Sequence, residues 1–558
     1  MMHRMSASDT ARETIVFEAR RVLTMNPARP VATHVAVRGD RILAAGIVED
    51  FKDGRFAGLP VTVDRRFSDA FILPGFVEGH AHVMEGTLWR RTYVGAGDRR
   101  SPDGRHVPGV ASVEAVVERL REASAALPDQ DELLYAWGFD PLHVGGQRLT
   151  RHDLDRVSTT RPVMVHHASL HIINVNTALL ERAGFDAGTN IAGVVKLDDG
   201  TPSGELQGIA ARLRLFRSLG YNPVSGSLDA GDVARFGAAA RIQGITTVTD
   251  LHNDLTDATV AVYRAACTED LPVRIVPALA SVSCPPEEGI ARIARLRGMS
   301  TERLRFGIVK IIVDGSIQGF TARLLPPGYH NGAPNGLWYV APEDLDRIVG
   351  AYHAAGVHLH IHTNGNEATE AALDAVERAL IAAPRPDHRH TLQHCQMATQ
   401  AQLRRVKALG LCLNLFSNHL YYWGDAHHDL TLGPERAAGM NAAGSAARLG
   451  IPFAIHSDAP VTPLGPLFTA WCAVNRVSSS GRRLGEGERL SVEQALHAVT
   501  LGAAYTLRMD HLVGSIEAGK LADFAVLDAD PLETPPDALK DIAVRATVVG
   551  GRVFPVPP

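Results

Sequence analysis

The chain predicts an α/β fold: a (β/α)8 TIM barrel with a large insertion after its first strand and a small β-sandwich domain built from both termini. Three observations predict it. Eight short apolar, β-branched runs alternate with Ala/Leu/Arg-rich segments of helical periodicity across residues 65–506. Hairpin signatures stand at both ends of the chain. The interval 84–240 holds far more sequence than one crossover helix needs. At 558 residues the chain also exceeds one hydrophobic core of ordinary size.

Taken in order, IVFEA (15–19), RVLTM (21–25) and HVAVRGDRILAAG (34–46) read as short strands, with Gly39-Asp40 placed for a tight turn. At the other end, KLADFAVLDAD (520–530) reads as a strand and VRATVVGGRVFPV (544–556) as a hairpin turning at Gly550-Gly551. Isolated hairpins are marginal in water, so residues 1–64 and 507–558 are expected to pair into one discontinuous β domain. The barrel strands are read from FILPGFVEGHAH (71–82), GITTVTDL (244–251), VRIVPALA (273–280), FGIVKIIVDG (306–315), VHLHIHT (357–363), HTLQHCQ (390–396), LCLNLFS (411–417) and PFAIHSD (452–458). Amphipathic segments such as PEDLDRIVGAYHAAG (342–356) and NEATEAALDAVERALIAA (366–383) lie between them. A doubly wound open sheet is the alternative, but no GxGxxG follows any of these strands. The insertion, with an extra strand at PVMVHHASLHIINVN (162–176), is expected over the active-site face.

Composition excludes several classes. A formal charge of −5 without a basic stripe gives no footprint for nucleic acid. No apolar run reaches the length of a membrane span, and the N-terminal residues lack the apolar region of a signal peptide. Cys267, Cys284, Cys395, Cys412 and Cys472 are scattered without a CxxC, which argues against a disulfide framework and for the cytoplasm.

Catalytic groups of such a barrel come from the C-terminal ends of its strands. Those ends carry His80 and His82 on strand 1, Lys310 on strand 4, His362 on strand 5, His394 on strand 6 and Asp458 on strand 8. Residues two apart on a strand face the same way, so His80 and His82 can both point inward, and Lys310 shares parity with Asp314. Nitrogen and oxygen donors of this kind suit Zn²⁺ and its first-row neighbours. Four imidazoles and a carboxylate exceed what one structural zinc needs, whereas a two-metal site would use them all. Each residue also has a structural reading alone: the histidines as hydrogen-bonded core imidazoles, Asp458 as a turn cap. Lys310 resists that reading, because lysine is almost never fully buried unless paired, and burial would leave its amine neutral. The order HxH, Lys, His, His, Asp along the strands favours one joint site.

At these motifs the sequence resembles the amidohydrolase superfamily of metal-dependent hydrolases, within it the YtcJ-like amidohydrolase 3 branch. The matching text includes PGFVEGHAH, WGFDPLHVGGQRLTRHDLD (137–155), HHASLHIINVNTALL (166–180), GELQG, VKIIVDGSIQGFTARL (309–324), HTNGNEA (362–368), HTLQHCQ, HSDAPVTPLGPL (456–467) and GSIEAGKLADFAVLDADP (514–531). The resemblance implies one metal held by His80, His82 and Asp458 and a second by His362 and His394. It implies Lys310 carbamylated by CO₂ and bridging the two, although some members hold one ion. Hydroxide held on the metal would attack a carbonyl while Asp458 shuttles the proton to the leaving nitrogen. His171 matches a family histidine near the substrate and is a catalytic or substrate-binding candidate, as are Asp314, Trp423 and His456 for substrate. An aromatic wall of Phe416, Tyr421, Tyr422 and Trp423 is one reading of 416–428; a helix seated on the barrel is the other.

The departures from the family are Glu78 and Asn366 where Asp is usual, His456 where Gly is usual, and Asn414 where a Gln-Pro pair is common. The expected enzyme is a metal-dependent hydrolase of an amide-type C–N bond in a small molecule, with zinc, as a homodimer. Deamination, or hydrolysis of a carbamate or cyclic amide, is the enzymatic alternative. An inactive scaffold is disfavoured because every candidate ligand is kept.

Overall fold

All eight apolar runs become strands of one parallel sheet: β1 (Phe76–Glu78), β2 (Ile245–Asn253), β3 (Arg274–Ala280), β4 (Ile308–Ile312), β5 (His358–Thr363), β6 (Thr391–His394), β7 (Cys412–Leu415) and β8 (Phe453–Ile455). The computed structural model describes residues 13–52, 61–221 and 228–557. They fall into two units, one of 1–82, 240–458 and 464–558, the other of 83–239 and 459–463. In the first unit each barrel strand pairs with its neighbour in chain order. The edge strands β1 and β8 meet past their C-terminal ends, where the Asp458 N–H donates to the His80 carbonyl at 3.1 Å. The result is a TIM-like α/β fold.

The helices between strands start where their sequences direct. Pro342 opens Pro342–Ala354, a position whose N–H has no helical acceptor, and Glu343 and Asp344 follow at the positive end of the helix dipole. Gln400–Ala408 opens on a reciprocal cap between Thr399 and Gln402.

Seven strands from both ends of the chain lie in a second sheet of the same unit. Their order is Arg552–Pro555, Val544–Val549, Phe524–Leu527, Val61–Pro74, Thr14–Leu23, Val31–Arg38 and Arg41–Gly46. Both expected hairpin turns are present: Arg38 pairs with Arg41 across Gly39-Asp40, and Val549 with Arg552 across Gly550-Gly551. Gly550 and Gly551 have φ of 57° and 77°, the left-handed pair that matches strand twist. Phe17, Val35, Val37, Ile72, Phe524 and Val548 share the core of this sheet. A buried pair, Arg274–Asp523 at 2.6 Å, ties it to the start of β3.

One boundary differs from the expectation. The run 71–82, read as one barrel strand, is divided at Gly75: residues up to Pro74 pair with the terminal sheet and only Phe76–Glu78 joins the barrel. Gly75 suits the crossing because a Cβ there would stand 2.1 Å from Thr246 Oγ1. Residues 65–74, assigned by sequence to the barrel, therefore lie in the terminal sheet.

The second unit carries a six-stranded sheet ordered Val194–Lys196, Pro202–Gln207, Ile172–Val175, Val163–His167, Leu134–Phe139 and Thr92–Tyr93. The stretch 162–176, read as one strand, makes two antiparallel ones because Leu170 turns the chain with φ of 61°. Trp137, Met164, Ile173 and Leu206 pack on one side of this sheet, and Val116, Leu134 and Val165 on the other. Among the described residues no helix is long and apolar enough to cross a membrane.

The N-terminal ends of β5 and β6 bury a set of bonded histidines. Leu359 N–H donates to His390 Nδ1, so His390 Nε2 carries the proton and donates to His353 Nδ1 at 2.9 Å. His358 Nε2 donates to the Arg389 carbonyl at 2.7 Å. Burial lowers the His358 pKa from 6.5 to about 3. A folded-state pKa below the unfolded value means stability is full above pH 6.5 and is lost as pH falls toward 3. At pH 5 the loss from this one group is about 2 kcal/mol. A His358→Asn variant should melt below wild type at pH 7.5, and the gap should narrow on acidification to pH 5; a constant gap would refute the assignment.

Candidate metal centre

Toward the C-terminal ends of the barrel strands, His80, His82, Lys310, His394, His456 and Asp458 come together. His80 and His82 follow β1, Lys310 is the middle residue of β4, His394 ends β6, and His456 and Asp458 follow β8. Asp458 Oδ1 is 3.3 Å from His80 Nε2 and 3.3 Å from His82 Nε2, and Oδ2 is 3.8 Å from His394 Nδ1. Lys310 Nζ lies 3.3 Å from His80 Nε2. The rings of His80 and His394 are 4.5 Å apart. His394 and Asp458 hold left-handed backbone, φ 65° and 55°, a conformation that costs a non-glycine residue roughly 1–3 kcal/mol and concentrates at functional sites.

The protonation of His80 follows from a backbone carbonyl. His360 Nε2 donates to Thr506 O at 3.2 Å, so its Nδ1 accepts, from Gln393 Nε2 at 2.6 Å. That turns Gln393 Oε1 to His80 Nδ1 at 2.7 Å, and Asn414 Nδ2 donates to the same oxygen at 3.0 Å. His80 therefore carries its proton on Nδ1 and presents a lone pair on Nε2 to Asp458 and Lys310. Outer-shell partners of this kind are worth 10–100-fold in metal affinity, so Gln393→Leu should weaken divalent-cation binding by about that factor. Chelator competition measures it; an unchanged affinity would exclude the relay.

The charges make these neutral donors. Burial holds His80, His394 and His456 well below the ordinary imidazole pKa, leaving lone pairs available. Burial pushes the Lys310 ammonium down to about 7, against the pull of Asp458. A lone pair on His80 Nε2 against a carboxylate oxygen is a repulsive contact unless a cation stands between them. Asp458 Oδ1, His394 Nδ1 and both His456 nitrogens are buried with no hydrogen-bond partner among the described residues, each at a cost of about 1–3 kcal/mol. The residues fit a divalent cation. Among the described residues two sets of three donors lie within 4.8 Å of one another: His80, His82 and Asp458, and His80, His394 and His456.

The other candidates sit differently. The ring of His362 adjoins that of His394 at 4.5 Å, but its Nε2 is 3.3 Å from Gly315 O and 3.2 Å from Asn364 Nδ2, and it belongs to neither set. Asp314, expected at the substrate, is fully buried, with its oxygens accepting from the N–H groups of Asn364, Gly365 and Arg323. It joins the loop after β4 to the loop after β5 and lies 3.6 Å from His362 Nε2. Trp423 is buried at 1 % exposure and packs on the His419 ring at 4.4 Å. Tyr421 and Tyr422 pack on Phe468, and Phe416 stacks on the cluster, at 4.8 Å from the His456 ring. His171 belongs to the second unit, at the start of the Ile172–Val175 strand.

Glu78 has a clear task here. Its carboxylate accepts from Ser457 Oγ at 2.8 Å, from the Ser457 N–H and from the His80 N–H at 3.2 Å, joining the loops after β1 and β8. Burial pushes its pKa up to about 8. Asn366 Oδ1 accepts from Leu325 N–H at 2.8 Å and holds the loop after β4.

A sequence profile described as the amidohydrolase family matches residues 68–555. The chain is 27% identical over 509 residues to YtcJ of Bacillus subtilis (strain 168), covering 89% of this chain and 91% of that protein. It is 26% identical over 555 residues to the N-substituted formamide deformylase of Arthrobacter pascens, covering 97% and 98%. An uncharacterized metal-dependent hydrolase from Pyrococcus horikoshii OT3 superposes with a TM-score of 0.70 at 20% identity, covering 94% of this chain and 99% of that one.

Proposed function

The chain belongs to the amidohydrolase family of hydrolases, and from that premise we propose that it uses one or two zinc ions to cleave an amide-type C–N bond of a small molecule. The observation that carries this reading is the lone pair of His80 Nε2 facing Asp458 Oδ1 at 3.3 Å, inside a ring of neutral donors. His80, His82, His394 and Asp458 would hold the cation, with Lys310 as a further ligand after reaction with CO₂ and His362 nearby for a second ion.

A divalent cation supplies Lewis acidity there, drawing charge from the scissile carbonyl and making water a nucleophile at neutral pH. Asp458 accepts the proton of the attacking water and delivers it to the leaving nitrogen. Its two oxygens suit this, since Oδ1 lies between the His80 and His82 imidazoles while Oδ2 turns toward His394. Burial, which pushes the Lys310 pKa down to about 7, favours the neutral amine that can form a carbamate: nitrogen bonds to the carbon of CO₂ and one N–H proton leaves. Gln393 keeps the His80 lone pair on Nε2.

N-substituted formamides head the candidate substrates, because a relative aligned across nearly the whole chain is named for deformylating them. N-acyl amines, carbamates and cyclic amides follow. The test is the full-length protein loaded with zinc and screened against these four classes, with amine release as the readout. Amine release from at least one class is expected; turnover of none, or release of ammonia alone, would overturn the reading.

A further inference from the structure

We propose that His456 is an additional metal ligand, forming with His80 and His394 a nitrogen subsite on the β8 side of the cluster. The inference rests on the reading above that the cluster holds a divalent cation. His456 lies just past β8 and two residues before Asp458, and it is fully buried. Its ring is held between two others. The His80 centroid is 4.7 Å away at an interplanar angle of 23°, and the Phe416 centroid 4.8 Å away at 25°. The His394 ring stands across it at 5.0 Å. Donor nitrogens of His80, His394 and His456 lie within 4.8 Å of one another.

The decisive contrast is with four buried histidines elsewhere in the fold. His360, His388, His390 and His427 each have both ring nitrogens hydrogen-bonded. Among the described residues neither nitrogen of His456 has a hydrogen-bond partner, and the unbonded Nδ1 of His394 lies in the same cluster. Burying an imidazole without partners is unfavourable, and a first-row cation is the partner such a lone pair takes. Packing rather than hydrogen bonding fixes the ring, because Phe416 offers only a face. A role in gripping substrate fits less well, since the side chain is closed in by the rings of His80, His394 and Phe416.

The test uses the full-length protein, stripped of metal and titrated with cobalt(II). Affinity is read by chelator competition and ligation by the visible ligand-field spectrum. His456→Phe keeps the ring packing and deletes the nitrogens. It should weaken cobalt binding on the order of 100-fold, at or beyond the top of the range for losing an outer-shell partner, and change the spectrum. His456→Gly should lose the same band and regain it on adding imidazole, which reports on ligation even if the Phe variant folds poorly. If both variants bind cobalt as wild type does with an unchanged spectrum, His456 is not a ligand, whatever happens to turnover. If wild type itself binds no cobalt, the metal-centre reading fails first and this inference fails with it.

Discussion

Replacing Asp458 by Asn should lower kcat/KM by about 10⁴-fold while leaving the melting temperature nearly unchanged. The side chains are isosteric, and the Asp458 backbone N–H, which bonds His80 O at 3.1 Å across the β1–β8 seam, is retained. What is lost is the charge between two imidazoles, each 3.3 Å from Oδ1, and the ability to take a proton. Positioned acid–base groups contribute roughly 10²–10⁴-fold, and loss of a charged ligand moves the effect to the upper end. The corresponding barrier change is about 5 kcal/mol. Steady-state kinetics on the zinc-loaded variant would show it; activity within tenfold of wild type would remove Asp458 from the proton path.

Lys310→Ala should cost on the order of 10³-fold, the rate equivalent of several kcal/mol of lost charge stabilisation. A short carboxylic acid such as propionate should restore part of the activity. The lysine is 2 % exposed, its Nζ is 3.3 Å from His80 Nε2, and burial pushes its pKa down to about 7. An alanine leaves space for a carboxylate in place of the carbamate oxygens. Rescue by propionate but not by propylamine would identify the required group as an anion. Rescue by the amine instead would assign Lys310 a role as a base.

The barrel and most of the cluster are legible in the sequence because both depend on local periodicity. Each apolar run of seven to twelve residues contains a strand, and apart from Lys310, in the middle of β4, each candidate ligand stands at or near the C-terminal end of such a run, so chain order predicts convergence. Gly75 shows where that logic stops. The run 71–82 carries the turn signal Pro74-Gly75, but it takes the pairing of Phe71–Pro74 with Phe524–Leu527 to show that the run is divided between two sheets. Gln393 and His360 escape notice for a related reason. They are ordinary strand residues until the register sets His360 beside Thr391, two residues before Gln393, and Gln393 beside Asn414. Glu78 stands out in sequence only as a departure, and its task of bridging to Ser457 lies 379 positions away. Asp314 shares the strand parity of Lys310, but β4 ends at Ile312, and the backbone amides that its carboxylate meets lie some fifty positions on, out of reach of a parity argument.

The most direct test is metal reconstitution of the full-length protein against an N-substituted formamide, or whichever amide it turns over. Removing metal with a chelator should reduce hydrolysis to background, and zinc should restore it in proportion to occupancy, saturating at one or two equivalents per chain. Full hydrolysis by protein shown to be free of metal would contradict the metal-dependent mechanism.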